Sequence, residues 1–440
     1  LNATNDPETP RVEGDGAGDL AEREAAYERF VWDNLKRNYA GHYLHGMLGM
    51  TGFRLVSAPT FLPAYLHAVS GSNAIVGLGL ALQQLGGVIA PIFGATKVEH
   101  RTKVMPAAIW IGMGGRLAIL GMAIAGWMLS GQPLVWALLA FIFMFGVFMG
   151  AQRVVFSLLM SKVIPISRRG RLQAWRNATG GLIAAVLAYF AGKHLVGPNA
   201  FGNGYSATFV LAFVLMTSGL WALQFLMKEP EPPTTRPQAR FRDRLREFPA
   251  LIAQDRAYGA FLIVQMLATS ARIATPFYIL YVGRVVGTDG ATLGLLSFAF
   301  LGADTVSNLV WGYLGDKTGF RVVLVASIVA WIGATLLLIN VHEVAATFVA
   351  FAGLGAALSG YMMAAQTMIL EFGAREDLPM RIAVSATAES ITATAGPLVG
   401  GLVAEAFGYT MVFGASLGFL GVALLILLLA VQDPRKRSGT

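Results

Sequence analysis

Stretches of about twenty apolar residues recur along this chain, and no feature of a sequence constrains its fold more tightly. At ~1.5 Å of rise per residue, such a stretch wound into a helix crosses the ~30 Å hydrocarbon core of a bilayer. Inside that core every backbone N–H and C=O needs a partner within the protein, which leaves helices or closed barrels as spanning structures. The stretches lie near 42–68, 73–96, 104–129, 133–161, 172–195, 206–228, 257–283, 289–314, 321–341, 345–372, 380–406 and 409–431. They are too long for barrel strands, so the expected fold is an all-α integral membrane protein with twelve transmembrane helices. Composition agrees: of 440 residues 55% are hydrophobic and only 13% charged, and 51 are glycine. Small residues let helices approach closely where lipid gives no hydrophobic push between them.

Charge sets the expected orientation. The formal net charge is +8, and in a membrane protein Lys and Arg gather in cytoplasmic loops, so this excess reads as topogenic and not as a nucleic-acid surface. The loops after the even-numbered spans contain KVEHRTK, SKVIPISRRGR, KEPEPPTTRPQARFRDRLREF, GDKTGFR and REDLPMR, while HAVSGSN, SGQP and VHEV on the other side are nearly free of Lys and Arg apart from Lys193 and Arg284. Both termini are therefore expected in the cytoplasm, with the chain multi-pass in the cytoplasmic membrane. The first ~38 residues are polar and acidic and do not resemble a cleavable signal peptide. Within 1–41, Tyr27, Phe30, Val31 and Leu35 share one stripe, which predicts an amphipathic helix at the membrane surface.

The Pro-rich segment 229–256 divides six spans (42–228) from six (257–431), leaving a short tail, 432–440. The halves echo one another. A shift of 217 residues places Glu99 on Asp316, and one further residue places Arg54 on Arg272, aligning FRLVSAP with ARIATP; GAQRVV in the fourth span is similar to AAQTMI in the tenth. Parallel repeats of this kind mark transporters that hold their substrate between two halves.

The loop GYLGDKTGFR, with Asp316, Lys317, Gly319 and Arg321, resembles the signature loop of the major facilitator superfamily. ATKVEHRTK, with Glu99, is similar to a degraded first copy, and IPISRRGRLQAW and AGPLVGGLVAEAFGY also look like that family. The resemblance implies two pseudo-symmetric six-helix bundles, a monomer, and a central cavity lined by the first, fourth, seventh and tenth helices. Antiporters of the family often carry Gly-Pro in the fifth helix; this fifth span, WRNATGGLIAAVLAYFAG, has no proline, which weakens a drug/proton antiporter reading. Asp316, near helix ends, is expected to pair with Lys317 or Arg321 and so to latch the cytoplasmic side, unless these are simply solvated charges.

Charges at bilayer depth are costly and face a cavity or a partner. Arg54, Arg116, Arg272 and Asp304 fall near the middle of their spans, Arg153 and Glu389 nearer the cytoplasm, and Arg176 at the interface. Given the family's helix order, Arg54, Arg153 and Arg272 would converge on the cavity. Arg54 and Arg272 there form either a clamp for a carboxylate, phosphate or sulfonate or two arginines neutralised by protein groups. Arg116 is expected to serve structure. Asp304 is either a proton-coupling carboxylate or half of a permanent ion pair, with Glu389 as the substitute coupling group. Gln152 and Gln366, and Tyr278, Tyr281 and Tyr361 beside Met362 and Met363, are candidate substrate contacts or else packing residues.

With no cysteine, no nucleotide-binding P-loop and no zinc-type histidine spacing, neither cofactor nor enzymatic chemistry is expected. His42 and His45 are expected to pack at the entrance of the first helix. The expected function is secondary transport of a small organic anion, proton-coupled, by alternating access. The alternatives are a proton-driven exporter of amphipathic or cationic compounds, or a membrane assembly factor or sensor without flux.

Overall fold

The computed structural model describes residues 15–98, 103–231, 256–287, 289–340, 343–372 and 378–431. Helix α1 (Asp15–Asp33) precedes α2 (Leu35–Ser57), α3 (Phe61–Ser70), α4 (Asn73–Val98), α5 (Met105–Met128), α6 (Gly131–Val163), α7 (Ile166–Ala191) and α8 (Gly204–Leu226). The second half holds α9 (Arg256–Ala271), α10 (Phe277–Val285), α11 (Gly290–Thr318), α12 (Phe320–Asn340), α13 (Val344–Met368), α14 (Leu378–Phe407) and α15 (Tyr409–Leu429). The protein is thus all-α. Among the described residues ten helical segments, from Met105–Met128 onward, are long and apolar enough to cross a membrane, and α4 adds an apolar helix over Asn73–Val88. The first span is less apolar because α2 carries Lys36, Arg37, His42, His45 and Arg54.

Two spans read as single helices are irregular at equivalent places. In the first, Ala58 is extended (φ −58°, ψ 145°), the conformation that a following proline, Pro59, imposes by clashing with a helical residue before it. In the seventh, α9 gives way to a tight turn at Arg272–Ala274 ahead of Pro276. The aligned segments FRLVSAP and ARIATP thus share an arginine and a proline, but the first leaves the helix at Ala58 while the second only tightens it, with Thr275 still helical (φ −53°, ψ −47°). The first helical span also begins earlier than its apolar run: Leu35, read as part of the amphipathic stripe, opens α2. From α1, Tyr27 donates to the Lys162 carbonyl at 2.7 Å, and Val31 is buried.

The halves meet through α4 against α14 and α7 against α11. These contacts concentrate at the end of the bundle away from the termini. There Glu405 accepts from the Asn73 and Ala74 N–H groups (2.7 and 3.4 Å), which are free donors at the start of α4, and the Tyr409 hydroxyl donates to Asn73 Oδ1 at 2.7 Å. Ser297 donates to Thr60 at 2.8 Å, both side chains buried. The crossing of α4 and α14 is tight enough to require glycine: a β-carbon on Gly401 would lie 2.6 Å from the Asn73 carbonyl oxygen and 3.0 Å from Gly77 Cα.

At the other end, the polar contacts among the described residues include several within one half. Lys162 pairs with Glu229 at 2.7 Å, and Glu229 also accepts from the first N–H groups of α5, those of Val104 and Met105. Arg321 donates to the carbonyls of Val431, Leu427 and Leu428, closing the C-terminal end of α15, where unpaired carbonyls favour a cation. This arrangement makes the end carrying the termini the open one.

Because the chain lacks cysteine, a single Ser297→Cys reporter measures access to the closed end. Adding Gly401→Val wedges α4 from α14, and maleimide labelling at position 297 is expected to rise severalfold in lipid nanodiscs. Unchanged labelling would show that this crossing does not hold the closed end shut.

Candidate functional site

Two adjoining cavities occupy the open side. One, about 660 Å3, lies between the halves; its polar lining comes from Gln83, Gln84 and Arg153 on one side and Thr269, Arg272, Gln366, Glu389 and Ser390 on the other. The irregular segments of the two spans contribute Ser57, Ala58 and Pro59 together with Thr275 and Pro276 to its wall. The second, about 340 Å3, sits inside the N-terminal half and is lined by His45, Gln152, Arg153, Gln173 and Arg176 with Met50, Phe53, Met149 and Phe156. Phe53, Gln83, Gln84, Gly87 and Arg153 belong to both walls, so the smaller cavity is a side chamber of the larger.

The intramembrane charges divide by partner. Arg54 on α2 reaches across the halves to α11, donating to Asp304 at 2.5 Å and to the Thr305 hydroxyl at 3.0 Å. Only 16% and 20% of the two charged side chains are exposed. A charge-assisted hydrogen bond is stronger than a neutral one, and losing one member would leave the other nearly buried and without its ion-pair partner. Arg272 lies 3.9 Å from Glu389, a looser pair within the C-terminal half, and both groups face the larger cavity. Arg54 lines neither cavity.

Arg116 is fully buried and uses its donors on backbone, reaching the Met216 carbonyl of α8 at 2.7 Å and the Gly112 carbonyl one turn back, with Gln152 at 3.5 Å. The guanidinium thereby ties α5 to α8. Arg153 faces both cavities, and among the described residues no carboxylate pairs with it.

The remaining expected contacts split. Gln366 and Met362 line the larger cavity and Gln152 the side chamber. The three tyrosines line neither cavity: Tyr278 bonds Thr335 and Trp331, Tyr281 donates to the Ile339 carbonyl, and Tyr361 bonds Thr269 and donates to the Gln265 carbonyl. They pack in the C-terminal half. At the loop, Lys317 sits 4.4 Å over the Tyr313 ring and Gly319 ends α11 with φ +91°. Arg321 is engaged by α15. Asp316 follows on the last turn of α11, and Glu99 lies outside the described residues.

His45 and Arg176, read from sequence as an entrance residue and an interface residue, both line the side chamber. A signal for this was present in the glycines at 46 and 180, small residues that draw α2 and α7 together.

The sequence profile described as Major Facilitator Superfamily matches residues 260–440. The "Multidrug resistance protein MdtG" of Citrobacter koseri is 25% identical over 423 residues, covering 92% of this chain and 97% of the relative. The second half of the chain thus carries the superfamily's sequence pattern, and the whole chain is similar to one curated transporter. Crystal structures of superfamily members show the same fold. A mutant of the nucleoside transporter NupG superposes with a TM-score of 0.70 at 13% identity, over 90% of this chain and all (100%) of that one. A bacterial homologue of the human lysosomal transporter Spinster, inward-facing and unoccupied, gives 0.67 at 15% identity, over 93% and 98%. The chain, with ten helices long and apolar enough to span a membrane among its described residues, therefore shares the all-α fold of these transporters.

Replacing Asp304 by Ala strands Arg54 in the interface between the halves. The expected loss is about 2–4 kcal/mol, below the upper range for a pair wholly out of water, seen as a lower melting temperature in nanodiscs. The Arg54→Gln/Asp304→Asn double variant, which removes both charges, should recover most of it; a single variant as stable as the parent protein would contradict a structural share for the pair.

Proposed function

We propose that this chain is a major facilitator superfamily transporter carrying a small organic anion across the cytoplasmic membrane by alternating access, with its termini cytoplasmic and a proton as the coupling ion. The observation that supports an anion is the charge of the cavity walls: Arg153, Arg176 and Arg272 face the open space against one carboxylate, Glu389. Anionic cargo completes a balance that the protein leaves short, and guanidinium groups hold oxyanions in a bidentate manner.

The support for coupling is positional. Asp304 and Arg54 belong to different halves, so rocking the halves apart at α2 and α11 must break their contact. The freed carboxylate then takes its neutralising partner from the cavity, and a proton serves that need. Return of the arginine displaces the proton, linking each conformational cycle to one proton transfer. Glu389, next to Arg272, is the second group able to exchange protons with the cavity.

An exporter of amphipathic compounds is a second reading, favoured by the printed name of the relative MdtG and by the Phe53 and Met362 wall facing Glu389. The two readings separate in proteoliposomes carrying an imposed pH gradient. Naphthalene-2-sulfonate is expected to accumulate, and Asp304→Asn to abolish gradient-driven accumulation while sparing exchange of labelled for unlabelled anion. Movement of a naphthyl quaternary ammonium ion in place of the sulfonate would establish the second reading. Unimpaired accumulation by Asp304→Asn would move coupling elsewhere.

A further inference from the structure

We infer that the side chamber of the N-terminal half is the binding site for the oxyanion head group of the cargo, with Arg176 and Arg153 as its paired ligands and His45 as a third donor. The inference rests on the organic-anion reading above and places it at a site that the pairing of Arg54 with Arg272 did not suggest.

Charge is the first argument. No Asp or Glu lines the chamber, although two arginines do. Elsewhere in the membrane interior Arg54 and Arg272 meet a carboxylate, and Arg116 gives Nε and Nη1 to carbonyls while its Nη2 stays unpartnered. Arg176 and Arg153 have no such partner among the described residues. Arg176 is part-buried with its Nε shut off from water, where a guanidinium favours an anion, and Arg153 stands exposed at the mouth of the same chamber.

Unused hydrogen-bonding capacity is the second. His45 is 4% exposed, and neither ring nitrogen has a partner; Arg176 Nε is likewise buried and unpartnered. Buried polar groups almost always find partners, so an unmatched set facing one cavity marks a place where a ligand completes the bonding. The His45 ring is held flat against Phe156, with centroids 4.5 Å apart and planes 8° from parallel, which fixes the direction of its donor.

The third argument is local sequence. Gly46 follows His45 on α2, and a β-carbon there would overlap the Arg176 side chain. Glycine at 46 is what admits the guanidinium of α7. The chamber's other walls carry Met50, Met149 and Phe53, an adaptable apolar lining for a compact body behind the head group. At about 340 Å3 it is at the small end of the range for organic ligand sites, roughly 300–1,000 Å3.

Gly46→Ala gives a test that preserves every charge. The added methyl pushes a flexible side chain, so the variant should fold while Arg176 leaves the chamber. Equilibrium dialysis of naphthalene-2-sulfonate on protein in nanodiscs is expected to show saturable binding, weakened about tenfold or more by Gly46→Ala and by Arg176→Gln. Arg272→Gln should change it less than twofold, and naphthalene-2-sulfonamide, which lacks the charge, should not compete. Parent-like binding by both Gly46→Ala and Arg176→Gln overturns the inference. If in addition Arg272→Gln alone abolishes binding, the organic-anion reading stands and the head group belongs to the C-terminal half. No sulfonate binding by the parent protein, with binding of the quaternary ammonium analogue, overturns the inference and the anion reading together.

Discussion

A guanidinium inside a membrane-spanning bundle has to be neutralised, and the solutions to that one requirement organise this molecule. Translocon measurements place the cost of a central arginine at roughly 2.5–3.5 kcal/mol, enough that each such residue needs an account. Arg54 is answered by Asp304 in the opposite half, Arg272 by Glu389 in its own, and Arg116 by carbonyls of the helix beside it. These three answers fasten, respectively, half to half, α9 and its following turn to α14, and α5 to α8. The arginines at 153 and 176 line the side chamber instead.

Strength and reversibility are distributed to match. The closed end is joined by short contacts that use backbone donors and glycine crossings, such as Glu405 on the start of α4 and Gly401 against Asn73. The ion pair between α2 and α11 is a contact of another kind, because water, a proton or a ligand can replace either partner. Among the described residues the fastenings at the open end, Glu229 and Arg321, each secure elements of a single half. The exchangeable contact thus lies between the glycine crossings of the closed end and the separate fastenings of the open one.

Much of the fold was legible in the sequence, since length and apolarity define spanning segments and the loop GYLGDKTGFR carries a family's pattern. The helix irregularities were written there too, in Pro59 and Pro276, but reading by hydropathy passes over them because proline interrupts backbone geometry and leaves the apolar run intact. The site was legible only in outline. Residue type placed Arg54 and Asp304 at similar depth, and both the paired and the free arrangement fitted that fact. Which one holds depends on how helices from distant parts of the chain rotate about their axes. The tyrosines of the C-terminal half were ambiguous for the same reason: a helix facing its neighbours and one facing a cavity have the same composition. Arg176 was assigned to the interface by counting from the end of its span, whereas the glycines opposite it draw its side chain inward.

The contact between Arg54 and Asp304 also bears on how the protein is made. Its members are separated by 250 residues, which a ribosome adding about 5–20 residues per second takes on the order of 10–50 s to produce. For that interval the first membrane helix holds an arginine whose partner has yet to be synthesised. During insertion the early helices must therefore shelter that charge with water, lipid head groups or the translocation machinery, and the nascent N-terminal half reaches its resting electrostatics only when the eighth span joins it.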